Sequence, residues 1–294
     1  MKVNIVIPRS GWILSKIGER TALNCKVEGV EMTTSFDADP NADANYYCDI
    51  QNTYFGQKTK CDVGYITHAD LNSEAWLFQL IAERNGFKNL DGVVSMNKRY
   101  TDMMEKIGYS KDKLATITPG QTHDTFKLKK TIIGIVSRGG YPGYGQGFME
   151  ELFMNYDLSN DFKFRFLGNG WENILPICKA KGIEVELMGD ADYSVYPKFY
   201  HEIDYLLIPG LWTAGPISFQ EALASGTPVI SADIGFANYE FKPDYIFPVG
   251  NTNWLYNTLK DIRLPIINRR KQVEHMTWEN YAKQIVDFIN KVKK

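Results

Sequence analysis

Two stretches of this chain carry residues whose types and spacing suit the capture of an anion. One is Ser137-Arg-Gly-Gly-Tyr-Pro-Gly-Tyr-Gly-Gln-Gly147, with five glycines in eleven residues between an apolar strand and a helix. Glycine lets a backbone approach a phosphate closely, and Arg138 would add a cation there. The run lacks the Walker spacing, so it is not a P-loop. The other is Thr213-Ala-Gly-Pro-Ile-Ser-Phe-Gln-Glu-Ala-Leu-Ala-Ser-Gly-Thr-Pro-Val-Ile-Ser-Ala-Asp233. A short helix is predicted to start at Gly215-Pro216 and to stop at Gly226, with an apolar strand on either side. Proline suits a first helical position, because its φ is already helical and its missing N–H had no partner to lose. Gly226 suits the left-handed residue that follows a helix. Such a unit aims free N–H groups and partial positive charge at a crevice.

Single residues add candidates. Gly11 closes the turn after the first strand, as in the opening of a nucleotide-binding αβ unit, and a plain connecting turn explains it equally. His68 stands at the C-terminal end of a strand, the edge where open α/β sheets bind ligands; a buried structural histidine is the alternative. Residues 37–45 alternate acids and amides like a calcium loop. However, Ala42 replaces the required glycine and Cys48 the bidentate glutamate, so a polar loop is expected. Asp37-Ala-Asp39 and Asp190-Ala-Asp192 spell a metal-binding tripeptide that is common by chance, and no metal site is assigned. The four cysteines have no C-x-x-C spacing and read as reduced, mostly buried thiols of a cytoplasmic protein.

The elements that must position these residues alternate. Strands are predicted at 2–8, 29–34, 46–50, 62–67, 92–96 and 114–117, with helices at 13–23, 71–85 and 100–107. After a polar linker at 121–130, strands follow at 131–136, 162–167, 183–188, 205–209, 228–230 and 245–249. Helices are predicted at 148–155, 172–180, 196–203, 216–226, 254–262 and 277–291. Alternation of this kind gives an α/β protein with mostly parallel sheets covered by helices. The expectation is two Rossmann-like domains facing a central cleft. The first spans 1–125 and is completed by the C-terminal helix at 277–294; the second spans 126–276. A net charge of −2 argues against a dedicated nucleic-acid or anionic-membrane protein. No apolar run reaches the roughly 18–20 residues that a membrane helix needs, and residues 1–8 read as a strand, not a signal peptide.

With the elements in order, the sequence resembles the GT-B glycosyltransferases. Its second half is similar to the retaining enzymes of glycosyltransferase family 4 (glycosyl transferases group 1). Glu221-Ala-Leu-Ala-Ser-Gly-Thr-Pro-Val-Ile230 resembles the second half of that family's paired-glutamate signature, and Thr213-Ala-Gly-Pro-Ile-Ser-Phe-Gln220 resembles the first half in outline. Asp204-Tyr-Leu-Leu-Ile-Pro209 and Asp233-Ile-Gly-Phe-Ala-Asn-Tyr-Glu240 are similar to the flanking segments. In the first half, Ser10-Gly-Trp12 and Tyr65-Ile-Thr-His68 resemble the family's first glycine loop and its cleft histidine.

The resemblance implies a nucleotide-diphosphate sugar as donor substrate, with no cofactor and no metal. It implies that Glu221 holds the ribose hydroxyls, while the turn Gly215, Pro216, Ile217 and Ser218 meets the diphosphate and sugar. Arg138 would stabilise the leaving diphosphate, Gly11 would lie on the donor, and His68 would face the transferred sugar. Two departures stand out. Thr213 occupies the place of the first glutamate, and Gly143 that of the family's lysine, with Gln146 the nearest polar side chain to stand in. The implied activity is retaining transfer of a sugar to an unknown acceptor: a glycan, a lipid, a small molecule or a modified DNA base. Nucleic acid enters only as such an acceptor. A sugar-nucleotide epimerase or hydrolase, or a catalytically weak binding or scaffold protein, are the alternatives.

Overall fold

The first apolar run becomes strand β1 (Lys2–Val6), and the chain then repeats strand and helix. A computed structural model describes residues 1–9, 11–67, 89–106, 108–213, 215–237 and 239–293. It divides into unit 1, Met1–Phe126 with Lys271–Lys294, and unit 2, Lys127–Arg270.

In unit 1, β1 is followed by α1 (Ile13–Leu23), β2 (Glu31–Ser35), β3 (Ala44–Tyr47), α2 (Ile50–Thr53), β4 (Asp62–Ile66), β5 (Gly92–Ser95), α3 (Lys98–Lys106) and β6 (Leu114–Thr116). The strands form one sheet in the order β2-β1-β3-β4-β5-β6, every pair parallel. Strands β3, β4 and β5 are buried along their whole length, as apolar strands covered on both faces must be.

In unit 2 the elements are β7 (Thr131–Val136), α4 (Gln146–Asn155), β8 (Phe162–Leu167), α5 (Leu175–Lys181), β9 (Glu184–Leu187), α6 (Tyr196–Glu202), β10 (Tyr205–Ile208), α7 (Ile217–Ala224), β11 (Val229–Ala232), β12 (Tyr245–Phe247) and α8 (Thr252–Lys271). The sheet order is β12-β11-β10-β7-β8-β9, again parallel throughout. The chain then returns to unit 1 with α9 (Trp278–Val292), capped by Thr277 Oγ1, which accepts the Asn280 N–H at 3.1 Å. Helix α9 buries Tyr281, Ile285, Phe288 and Ile289 in the core of unit 1. A Cβ at Gly92 on β5 would come within 2.7 Å of the Phe288 ring, so glycine admits the helix.

All twelve predicted strands are present, and the departures are local. The strand predicted to reach residue 50 ends at Tyr47, because the Asp49 carbonyl accepts the Thr53 N–H and hydroxyl at 2.8 and 2.5 Å and winds α2. The helix predicted for 172–180 begins as a 3-10 turn, Glu172–Ile174, and closes on Gly182 at φ 66°. The helix predicted for 254–262 runs to Lys271 across Pro265. Proline removes a backbone bond inside a helix, but Arg263 anchors the element beside it. Its buried guanidinium donates to Asp161 at 2.8 Å and to the Lys129 carbonyl at 2.7 Å. The predicted helix at 71–85 lies outside the described residues.

The oxygen-rich loop after β2 turns its groups onto protein partners. Asp39 pairs with Lys2 at 2.8 Å, and Asp43 accepts the Lys2 N–H at 2.8 Å. All four cysteines are free, and Cys48, Cys61 and Cys178 are buried. Among the described residues no helix is long and apolar enough to cross a membrane.

Candidate functional site

In unit 2 the strand order reverses beside β7: β8 and β9 lie on one side, β10 to β12 on the other. A crevice opens at such a reversal, outside the carboxyl ends of the strands. Here it is a cavity of about 1090 Å³, reached by the ends of β7, β8 and β10.

The glycine-rich loop forms one wall, and three of its five glycines, Gly139, Gly143 and Gly145, are required by contact. A Cβ on Gly139 would strike the Gly170 carbonyl, and one on Gly145, at φ 86°, would strike the Pro209 carbonyl. Gly139 donates its N–H to the Asn169 carbonyl at 2.7 Å, and Leu211 donates to the Gly143 carbonyl at 2.8 Å. Trp171 fixes the base of the loop from below: fully buried, it donates its indole N–H to the Ser137 carbonyl at 2.8 Å. Arg138 is exposed at the cavity wall and makes no hydrogen bond or ion pair among the described residues.

The start of α7 forms the opposite wall. Pro216, expected inside the helix, is its N-cap, with φ −74° and ψ 133°. The first N–H groups of an α-helix have no partner within it, and the residues that carry them here, Ile217 and Ser218, line the cavity. Gly215 is held at φ 152°, and a Cβ there would come within 2.5 Å of the Phe236 ring. The helix ends as the sequence suggests, with Gly226 left-handed at φ 71°.

Glu221, further along α7, is gripped from both sides. Its Oε1 accepts the Tyr193 hydroxyl and its Oε2 the Tyr200 hydroxyl, each at 2.6 Å. Burial and then the bond to Glu221 push the Tyr200 hydroxyl up from its ordinary pKa, and the bond to Glu221 pushes up that of Tyr193. Both phenols therefore stay neutral donors. Each carboxylate oxygen keeps acceptor capacity for a ligand diol.

Arg138, Thr213, Gly215, Pro216, Ile217, Ser218 and Glu221 thus line one cavity. Gln146 is placed differently. It is buried and is not a lining residue; its Oε1 accepts the Gly140 N–H and its Nε2 donates to Glu150 at 3.0 Å. Its amide shapes the glycine loop instead of facing a ligand. The lysine position, Gly143, is closed: a Cβ there would come within 2.8 Å of the Trp212 indole nitrogen. Thr213 points a buried hydroxyl that has no hydrogen-bond partner. Gly11 lies in unit 1, exposed at φ 62°, and His68 lies outside the described residues.

Aromatic rings that the sequence reading did not single out complete the lining. Tyr141 and Tyr144 pair at 4.9 Å between centroids, Tyr193 and Tyr196 at 5.0 Å, and Trp212 is 60% exposed. One signal was available: Tyr193, Tyr196 and Tyr200 recur at intervals of three and four, which places them on one helical face. Asp190 also lines the cavity, locked to Asn169: its Oδ2 accepts the Asn169 side-chain amide at 2.6 Å and its N–H donates back at 3.1 Å. Asp192 caps the following turn by accepting the Ser194 N–H at 2.9 Å.

Residues 132–262 match the model of the family described as Glycosyl transferases group 1, the same family that the Glu221 motif resembles. No curated protein sequence matches the chain. Among solved structures, the chain is 18% identical to TarM of S. aureus in complex with fondaparinux, alpha-GlcNAc-glycerol and UDP. That match covers 84% of this chain and 55% of TarM, with a TM-score of 0.39. It is 14% identical to a sucrose-phosphate synthase from Thermosynechococcus elongatus, covering 99% and 98% of the two chains at a TM-score of 0.39. It is 11% identical to Anabaena HepE in complex with UDP and glucose, covering 98% and 99% at a TM-score of 0.40. The chain thus spans about half the length of TarM.

Proposed function

We propose that this protein is a retaining, metal-independent glycosyltransferase of the family 4 type that uses a nucleotide-diphosphate sugar as donor. One observation carries the reading: a free guanidinium, a helix start and a tyrosine-held carboxylate share one crevice at the strand reversal of unit 2. In this reading Glu221 accepts the ribose hydroxyls, its oxygens aimed by Tyr193 and Tyr200. The diphosphate lies between Arg138 and the N–H groups that open α7, where cation and helix start together offset the charge that develops as the sugar leaves. The tyrosine pairs and Trp212 offer flat apolar surface for a nucleobase or sugar ring.

Retention is proposed on the likeness of the Glu221 motif to the retaining enzymes of family 4. Glu221 and Asp190, the carboxylates of the described lining, are both held by hydrogen bonds to neighbours, and neither is assigned as a nucleophile. The leaving diphosphate then takes the acceptor proton on the same face. The lysine of the family has no counterpart, since Trp212 fills the space over Gly143, so leaving-group stabilisation rests on Arg138 and the helix start. That departure, with Thr213 in place of a glutamate, also favours a second reading: a protein that binds nucleotide sugars and turns them over weakly. The free thiols fit a reducing compartment.

A panel of nucleoside diphosphates and their sugars, scored by thermal shift and then by product analysis with and without acceptor, tests the proposal. A binder of the folded form raises the melting temperature. Arg138→Ala and Glu221→Ala should each reduce transfer by roughly tenfold or more. Unchanged turnover in both variants rejects the site. Tight binding without transfer across all acceptors establishes the second reading, and sugar inversion or release without acceptor establishes an epimerase or hydrolase.

A further inference from the structure

Glu221 is held by two phenols of unlike kind. Tyr200 lies on α6 inside the core, 2% exposed, and is not a lining residue of the cavity. It shares a buried cluster with Phe199 and with Phe219 and Ala222 of α7, the helix that carries Glu221. Its carbonyl accepts the Thr227 hydroxyl at 3.0 Å. The Tyr200 hydroxyl therefore stands at a fixed place beside α7. Tyr193 is 65% exposed on the cavity wall. It begins a 3-10 turn, Tyr193–Val195, which Asp192 caps, and its ring rests against Tyr196. One phenol thus reaches Glu221 from the core and the other from the rim.

The two bonds leave a particular set of acceptors. An ionised carboxylate offers about four acceptor positions, shared equally by its oxygens. A phenol on each oxygen leaves one position open on each. Two hydroxyls on neighbouring carbons fill that pattern. A single hydroxyl leaves one oxygen without a ligand partner, and a site built to hydrogen-bond a hydroxyl rejects the analogue that lacks it. The pattern depends on the phenols. A glutamate side chain has several free torsions, and ordering it as a ligand arrives costs entropy. Here both oxygens are held before the ligand arrives.

We propose that Tyr200 and Tyr193 are positioning residues that make Glu221 read a vicinal diol, so that the site prefers a ribonucleoside diphosphate to its 2′-deoxy counterpart because of the two phenols. The inference rests on the donor reading of Glu221 and adds the groups on which its selectivity depends.

Calorimetric titration of the full chain with UDP, GDP and ADP, each beside its 2′-deoxy counterpart, tests it. The tightest of the three should bind about tenfold tighter than its 2′-deoxy counterpart. Tyr200→Phe should weaken the ribonucleotide about fivefold and leave the 2′-deoxy form within about twofold of the parent, so that the preference nearly disappears. Tyr193→Phe should narrow the preference about threefold with the melting temperature unchanged. Its ring is exposed, so this arm stands if Tyr200→Phe fails to fold. In a Glu221→Ala background neither substitution should change the affinity further. A purely structural role for the phenols predicts the opposite: both nucleotide forms weakened alike, and the same loss with or without Glu221. The inference falls on that result, if both phenylalanine variants keep the parent's preference, or if the parent shows none. If none of the three diphosphates binds the parent, the donor reading falls and this inference with it. If one binds and only the preference fails to respond, the donor reading stands and this inference alone falls.

Discussion

Unit 1 and unit 2 share one plan and differ in what stands at the strand ends. Each is a six-stranded parallel sheet whose order reverses beside its first strand, and each has its cavity at that reversal. In unit 2 the loop after the first strand holds five glycines in eleven residues, and Arg138 stands free at the cavity beside Tyr141 and Tyr144. In unit 1 the same place holds Arg9 and Trp12; the arginine is paired with Asp37 and the wall is aromatic. Topology therefore supplies the crevice in both, and the few residues just past the strands decide what its arginine meets.

That contrast can be broken at its supports. The largest expected effect is in Trp171→Ala, which empties a fully buried indole site and releases the Ser137 carbonyl. It should destabilise the protein by about 3–5 kcal/mol, read by denaturant melts, and abolish nucleotide binding with it. Gly145→Ala follows, because a Cβ meets the Pro209 carbonyl in a left-handed conformation; a loss of about 2 kcal/mol or more is expected, again with loss of nucleotide binding. A Gly145→Ala protein as stable as the parent would show that the loop is not held as described.

Arg138→Lys keeps the charge but loses the planar fork and should weaken nucleoside diphosphate binding by about 1 kcal/mol, or fivefold, in titration calorimetry. Tyr200→Phe should weaken binding by a similar factor, since it releases one oxygen of Glu221 from its partner. Equal affinity in Tyr200→Phe would mean that the carboxylate needs no positioning. The smallest effect belongs to Arg9→Ala in unit 1, an exposed pair whose removal should shift the melting temperature by no more than about one or two degrees. A large shift there would mean that Arg9 is structural and would erase the difference between the two arginines.

The strands were legible because most are apolar runs bounded by turn residues, β2 and β9 being the polar exceptions at the sheet edges, and their alternation with helices points to two parallel sheets. The motif around Glu221 was legible because helix stop and start residues bracket it. What escaped was set by particular side-chain contacts, most of them distant in sequence. Residue types alone do not show that Gln146 turns to Gly140 and Glu150 and away from a ligand, or that Tyr193 and Tyr200 reach forward to Glu221. The continuation of α8 past Pro265 depends on Arg263 reaching Asp161 and Lys129, residues more than a hundred positions away. The unit 1 cavity escaped because Trp12, Phe36 and Phe55 come from three separate connections.

The return of the chain to unit 1 has a bearing on the order of events during synthesis. Gly120 lies so close to the Trp278 backbone that a Cβ would strike it, and Gln121 donates its N–H to the Met276 carbonyl at 2.7 Å. The points where the chain leaves and re-enters unit 1 are therefore stitched together, and everything between them is one uninterrupted segment. That segment has all its own strands and can fold as soon as it has been made. Unit 1 is interrupted by that segment and must wait for α9 to cover its core, so its core closes only after unit 2 has been made.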